Sequence, residues 1–364
     1  MDNVETARVM DEQYNEACTD WSNVSINTTL KDLTDCVERY HKLSPERFEK
    51  TDTPFIIAEF GCATGAASVL PLKAIIDAVR RIQPEMSIQI ILNDLPENHH
   101  SLAIAAVSDG LASYDDIYIM VAGKDFTQQV FACNSIDFAY SNMTVQIIPK
   151  APCPRDDNVF FLANSENIQT EQGKKWVEAF EKHWSAFVSN RQKELKQHGQ
   201  LFITVLVYDD PMLSYQIKET QYFHEVATIC LKNILAKYNL VDKLPSTLKT
   251  SSSMFKSHYT DICDQMDDKL TVVSSNCYDI VDYFYHEYEK TKDSREFGQK
   301  VAAYIKGWWG HVLEGGLAYE GVDPQLVKTI SREFFDNALP KFTSERAHIY
   351  PECFRVLALA VQKL

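Results

Sequence analysis

The chain has 364 residues, 45% of them hydrophobic and 24% charged, so it can bury a large core, and a disordered, fibrous or disulfide-held miniature protein is excluded. Lys and Arg number 36 against 51 Asp and Glu, a net charge of −15. With no basic run longer than Arg80-Arg81 or Lys174-Lys175, such a surface repels phosphate backbones and anionic lipid, so neither nucleic acid nor a membrane is an expected partner.

Residues 56–61 (Ile-Ile-Ala-Glu-Phe-Gly) form an apolar run ending in an acid and a glycine. The stretch 68–81 follows with Val69, Leu72, Ile75, Ile76 and Val79 on one helical face and Pro84 beyond it, so a strand, a turn and a helix are expected. Further apolar runs at 88–92, 117–122 and 136–140 alternate with helix-length or turn-rich segments, the pattern of a parallel sheet with helices on its faces. Lys150-Ala151-Pro152-Cys153-Pro154 reads as a loop and 159–163 as a short strand. A long helix is expected over 171–196, with Trp176, Phe180, Trp184, Phe187 and Leu195 as a core stripe. Gly199 would end it before a strand at 201–207. The segment 210–341 reads as mainly helical, with helices over 222–235, 278–290, 296–315 and 325–338, and 354–361 supplies a terminal strand. The expected fold is therefore α/β: a doubly wound, Rossmann-like sheet from residues 1–208 and 342–364, with a helical cap, 209–341, inserted before the last strand.

The nine cysteines are scattered, with no Cys-x-x-Cys and no spacing suited to zinc, and read as small core hydrophobes of a reducing compartment. Residues 1–20 are acidic and lack the apolar run of a leader, and no stretch reaches the roughly 20 apolar residues of a membrane helix. A cytoplasmic location and no metal site are the expectations.

The chemistry concentrates at Glu59-Phe60-Gly61-Cys62-Ala63-Thr64-Gly65. Glycines let the backbone approach a ligand at a tight strand-to-helix turn, and the helix beyond offers unpaired N–H groups. A dinucleotide fingerprint wants Gly-x-Gly-x-x-Gly, but its second and third glycines would be Ala63 and Ala66 here. Glu59, two residues before the first glycine, suits a cationic ligand better than a pyrophosphate. S-adenosylmethionine (SAM), with an ammonium and a sulfonium, is such a ligand, although a lone Glu also serves to cap or solvate a turn. Asp94, in Asn93-Asp94-Leu95-Pro96 after the second strand, can accept from both ribose hydroxyls, or simply cap a helix. Asp125-Phe126 after the third strand offers an acceptor for an adenine amino group and a ring for the purine face. Ser141-Asn142-Met143 closes the fourth. Polar groups after four successive strands outline one cleft at their carboxyl ends.

These motifs resemble those of the plant-type small-molecule carboxyl methyltransferases, the SABATH group, which methylates salicylic, benzoic and jasmonic acids and includes xanthine N-methyltransferases. The family's Asp-Leu-Gly-Cys-Ser-Ser-Gly aligns on residues 59–65 and its Asn-Asp-Leu-Pro recurs unchanged at 93–96. Its Gly-Ser-Phe falls on Lys124-Asp125-Phe126, its Phe-Pro…His-Ser-Ser-Tyr-Ser-Leu-His-Trp run on 131–147, and its long-helix pattern on Phe180, Phe187, Val188, Arg191, Glu194, Leu195 and Gly199, then Thr204. Weaker similarity continues through 301–313 to the C-terminus.

The resemblance implies SAM as cofactor, contacted by Glu59, Gly61, Cys62, Gly65, Asp94, Leu95, Asp125 and Phe126 with Ser141 and Asn142 beside it, a small-molecule acceptor, and a homodimer. The family's N-terminal Ser-Tyr-Ala-x-Asn-Ser-x-x-Gln is hardly visible. Its best fit sets Tyr14 and Cys18 beside the cofactor and Trp21 on the glutamine that grips the substrate carboxylate. Met143 and Ile147 stand where the family has an aromatic residue and an indole, so the usual carboxylate anchors are missing or moved. By the same alignment Ile305 and Trp308 line the acceptor pocket, although Ile305 equally suits plain core packing. With Met143 and Ile147 they make a chamber for a hydrophobic acid or a flat heterocycle.

An ionised carboxylate is already a nucleophile at neutral pH, so no catalytic residue is required. A phenol or amine would need a base, for which alignment offers His224 and Glu225. The expected function is SAM-dependent methylation of a small lipophilic acid to its methyl ester. The alternatives are N- or phenolic O-methylation of a small heterocycle, and SAM binding without catalysis.

Overall fold

The computed structural model describes residues 12–50, 52–148, 151–153, 158–159, 161–248, 252–266 and 269–364, with side chains from Cys18 onward. The four apolar runs of the first half are parallel strands, β1 (Phe55–Phe60), β2 (Ile88–Asp94), β3 (Ile117–Gly123) and β4 (Ile136–Asn142). After β5 (Phe161–Leu162) the sheet continues with β6 (Leu195–Tyr208), parallel to β4. The tip of β6 takes β7 (Ser252–Phe255), which carries β5. The far edge is β8 (Leu270–Val281), antiparallel to β9 (Cys353–Lys363), which is itself antiparallel to β6. The main sheet thus runs β3-β2-β1-β4-β6-β9-β8. The chain winds outward from β1 in one direction and restarts at β4 in the other, so a crevice opens between the carboxyl ends of β1 and β4.

One face of the sheet is covered by α1 (Glu12–Leu43), α2 (Pro45–Glu49), α3 (Val69–Ile82) and α4 (His100–Gly110), through Leu33, Val37, Leu72, Ile75, Ile76 and Val107. The other is covered by α5 (Glu171–Glu194), whose aromatic stripe of Trp176, Phe180, Trp184 and Phe187 is fully buried. A fully buried aromatic of this size contributes about 2–3 kcal/mol by leaving water. Above the strands' carboxyl ends lie α6 (Ser214–Glu225), α7 (Lys232–Lys237) and α8 (Leu244–Thr247). α9 (Lys256–Asp264) packs on the α5 side through Tyr259. The upper layer is completed by α10 (Tyr283–Thr291), α11 (Ser294–Tyr319), α12 (Pro324–Arg332) and α13 (Leu339–Glu345). π-helical turns at Val226–Leu231 and Glu333–Ala338 join neighbouring helices, and the layer has its own apolar cluster around Trp309, Phe334 and Phe335. Among the described residues no helix is long and apolar enough to cross a membrane.

Three local expectations change. The long helix ends at Glu194 rather than 196, and Gly199 lies inside β6, where a Cβ would come within 3.1 Å of the Asp137 carbonyl oxygen. The helix expected over 278–290 begins only at Tyr283, because residues 270–281 pair with β9 as an edge strand. The stretch 209–341 is therefore interrupted by a strand of the main sheet. Finally α1, for which no helix was expected, buries Trp21 in the upper layer and Leu33 and Val37 against the sheet, tying the two together.

Candidate active site

β1 delivers Glu59 to the crevice, and the turn beyond it is clamped. The N–H groups of Gly61 and Cys62 both donate to the Asn93 carbonyl, at 2.8 and 3.1 Å, and Gly65 N–H donates to the Cys62 carbonyl at 2.9 Å. Gly61 and Gly65 have φ of +83° and +84°. A Cβ on Gly61 would sit 2.2 Å from Thr144 Cγ2, and one on Gly65 2.7 Å from the Ala103 carbonyl oxygen of α4. The space spared by these glycines is filled by protein. Gly65→Ala is expected to lower stability by roughly 2–4 kcal/mol, combining left-handed strain with overpacking against backbone, and a thermal melt checks it.

β2 delivers Asp94. Its Oδ2 accepts the Ala63 N–H at 2.7 Å and its Oδ1 the Leu95 N–H at 2.8 Å, which leaves further lone pairs for a ligand. Asn93 and Asn98, to which sequence reasoning gave no role, sew the loops together. The Asn93 amide donates to the carbonyls of Ala122 and Lys124 at 2.7 and 2.8 Å, and the Asn98 amide to the Ala63 carbonyl at 2.7 Å. Their signal was adjacency to Asp94 in a polar run at a strand end.

Glu59 is 4% exposed. Burial pushes its carboxyl up to about 7, the Ser68 and Tyr140 hydroxyls pull it back, and the charge of Asp94 pushes it up again. Burial raises Asp94 as well, against the pull of the Leu95 and Ala63 N–H groups. The Ser68 and Tyr140 hydroxyls face the Glu59 carboxyl, and beyond one another the buried Ser68 Oγ, Tyr140 Oη and Glu59 Oε2 have no further partner. Two sealed carboxyls, with no ion pair to either acid among the described residues, fit a ligand that is cationic and rich in donors. SAM meets that description. Cys62 is buried beside them, its thiol raised by burial and by both acids.

After β3, Asp125 Oδ1 accepts the N–H and hydroxyl of Thr127, both at 2.8 Å. Phe126 packs edge-on to His183 and Phe187. A bidentate pair of Arg191 and Glu194, with contacts of 2.8 and 2.9 Å, underlies this loop. Arg191 donates to the carbonyls of Phe126 and Gln128, while Glu194 accepts the N–H groups of Val130 and Phe131. After β4, Ser141 donates to the Phe60 carbonyl at 2.7 Å and Asn142 accepts from Thr204.

In the upper layer the fold assembles an aromatic wall from three helices. Phe223 of α6 lies 6.0 Å from Trp308 of α11, Trp308 lies 6.2 Å from Tyr304, and Tyr304 lies 5.4 Å from Trp21 of α1. Trp21 also stacks on Phe354 at 4.4 Å, and Met143 packs against the same cluster. Ile305 is 1% exposed and belongs to the core beneath, while Ile147 is half-buried in the turn after β4. Cys18 is buried with its thiol against the Tyr304 carbonyl, and burial raises its pKa. The side chain of Tyr14 lies outside the described residues.

The remaining candidates are placed differently from expectation. The Trp21 indole N–H donates to Asp282 Oδ2 at 3.2 Å, so it is engaged within the protein. His224 is exposed, and Glu225 pairs with Arg346 at 3.2 Å. The inward face of α6 carries Glu219 instead, 7% exposed. Burial pushes Glu219 and Asp282 each up to about 7. Glu219 could have been found from spacing, since Tyr215, Glu219, Tyr222 and Val226 form one helical stripe and all are buried. Among the described residues no group of three His, Cys, Asp or Glu could hold a metal ion.

The switch-point crevice, the acid-bearing glycine turn and the strand order define the fold of class I SAM-dependent methyltransferases. Residues 27–349 match the family described as SAM dependent carboxyl methyltransferases, and the chain belongs to that family. It resembles the solved structure of a loganic acid methyltransferase with S-adenosylhomocysteine (SAH), with a TM-score of 0.72 and 15% identity over 97% of each chain. It is 24% identical over 171 residues to the salicylate/benzoate carboxyl methyltransferase of Arabidopsis thaliana, covering 43% of this chain and 45% of that one. It is 21% identical over 175 residues to probable caffeine synthase 3 of Coffea arabica, covering 42% and 46% respectively. The match thus spans less than half the length of either curated relative.

Proposed function

We propose that the protein transfers the methyl group of SAM to the carboxylate of a small lipophilic acid, forming a methyl ester. The observation that carries this reading is Glu59, sealed at the carboxyl end of β1 with Asp94 opposite and no cation paired to it among the described residues. SAM, when bound, supplies a methyl carbon activated by the sulfonium for in-line displacement. Glu59 would hold its ammonium, Asp94 the ribose, and Asp125 and Phe126 the adenine. Gly61, Cys62, Gly65, Leu95, Ser141 and Asn142 would shape the rest of the cleft. Trp21, Met143, Ile147 and Trp308 would wall the acceptor, with Ile305 behind them. The acceptor carboxylate is its own nucleophile, so the chain has only to align it and exclude water, which supplies roughly 7–11 kcal/mol. Salicylate, benzoate and jasmonate, named for relatives, are the acids to try first. A homodimer, a cytoplasmic location and a cap over 209–341, apart from the sheet strand at 270–281, complete the proposal.

A second reading, methylation of a nitrogen or phenolic oxygen, is favoured by the commitment of the Trp21 N–H to Asp282. Incubation with methyl-labelled SAM and a panel of acids, phenols and heterocycles decides between them. Base-labile label is the expected result and base-stable label marks the second reading. Protein that binds SAM yet transfers no label would be a binder without catalysis.

The titration of Glu59 gives a further expectation. Its carboxyl is largely protonated below about 7 and must ionise to receive an ammonium, so SAM binding releases a proton. Affinity should rise up to about tenfold per pH unit from below neutrality and level off above it. Calorimetry across pH checks this, and Glu59→Gln should flatten the dependence.

A further inference from the structure

Tyr208 is the last residue of β6, at the carboxyl end of the sheet where β1, β2 and β4 bring Glu59, Asp94 and Asn142. α6 is docked there by Gln216, whose amide donates to the Val207 carbonyl at 3.2 Å and accepts the Leu213 N–H at 2.9 Å. The inward face of α6 therefore sets Glu219 over the strand end, one turn before Phe223, which abuts Trp308. Neighbouring polar groups are already used. The Tyr222 hydroxyl is bonded to Thr343, and Asp282 accepts from Trp21, Tyr350 and the Tyr285 N–H. Tyr208 and Glu219 differ. Tyr208 is 3% exposed, and its buried Oη faces the Glu219 carboxyl and has no other hydrogen-bond partner. Glu219 is 7% exposed, and among the described residues no ion pair ends on it.

We infer that Glu219 and Tyr208 anchor the acceptor, donating hydrogen bonds from a neutral carboxyl and a phenol to one oxygen of its carboxylate while the other oxygen faces the methyl group. This rests on the methyl-transfer reading above and assigns the anchor that Trp21, Met143 and Ile147 do not supply. The titratable groups interacting with Glu219 are Tyr208 of β6, Asp282 at the head of α10 and Tyr350 ahead of β9. The nearby cations Lys218, Arg346 and Arg355 are held by Glu352, Glu225 and the pair Asp209 and Asp279. A carboxyl so placed keeps its proton to about 7 and has an O–H to give. An arriving carboxylate reinforces that protonation.

The test titrates benzoate, phenylacetate and hexanoate into SAH-saturated protein by calorimetry. At least one is expected to bind at about pH 6 and to weaken about tenfold or more by about pH 8.5, as Glu219 loses its proton. Glu219→Gln, whose amide still donates, should keep the affinity and remove its pH dependence. Glu219→Ala and Tyr208→Phe should each weaken binding about tenfold. Wild-type affinity that is flat with pH, indifference to Glu219→Ala and Tyr208→Phe, or binding of none of the three acids overturns the inference. Should Glu219→Ala fail to fold, the wild-type pH series and Tyr208→Phe still decide. If SAH does not raise the melting temperature of the wild type, the donor reading itself has failed, which is a different result.

Discussion

Arg191→Met should destabilise the protein by roughly 3–5 kcal/mol, the cost of stranding one member of a buried ion pair, and should weaken SAH binding as well. Arg191 and Glu194 are each 1% exposed. Removing the guanidinium leaves Glu194 buried with only the Val130 and Phe131 N–H groups, and frees the Phe126 and Gln128 carbonyls. The guanidinium also lies 3.9 Å from the centre of the Phe60 ring, so packing is lost with the charge. The segment 126–131, with Asp125 at its head, would then be held to α5 only by Glu194, by the Asn190 amide on the Thr127 carbonyl and by the ring contacts of Phe126. Pairing Arg191→Met with Glu194→Leu should recover only part of the loss, because the two N–H groups stay unpaired at about 1–3 kcal/mol each. Urea denaturation measures the stability and calorimetry the SAH affinity. A single variant within about 1 kcal/mol of wild type would show that the clamp matters little.

For Asp94→Asn a large effect is expected on binding and little on folding. The carboxylate accepts two backbone N–H groups, one on each oxygen, but is buried without a cation. In the neutral amide, relief of the buried charge offsets the cost, about 1–3 kcal/mol, of one N–H left facing an NH2, and the melting temperature of the free protein should be nearly unchanged. SAH affinity should fall roughly 100-fold, since two charge-assisted bonds to ribose hydroxyls, worth about 1.5–3 kcal/mol each, become neutral ones worth about 0.5–1.5 kcal/mol. Asp94→Ala should bind more weakly still and also loosen the Ala63 turn. Should SAH raise the melting temperature of Asp94→Asn as much as that of wild type, Asp94 is not the ribose acceptor.

Much of the sheet was legible because its strands are short apolar runs bounded by turn residues, and α5 because four large aromatic side chains recur at helical spacing. α1 was not, since its buried face is written in Cys18, Ser22, Ser25, Thr29 and Cys36 as much as in Ile26 and Leu33. Small polar residues hide the period that larger apolar ones would display. β8 escaped for a related reason. Thr271, Ser274, Ser275 and Asn276 have no clear alternation, and pairing with β9 makes the segment a strand.

The amino-acid order alone determined the crevice at the strand ends and the acids that line its donor side, because a turn motif is local and its residues lie within a few positions of one another. Which side chains meet across the acceptor side was decided by the tertiary structure. Trp21, Tyr208, Glu219, Asp282 and Trp308 come from five separate elements or their edges. Whether an indole N–H is spent or a carboxyl keeps its proton depends on neighbours and on exclusion of water, and neither is a property of sequence spacing.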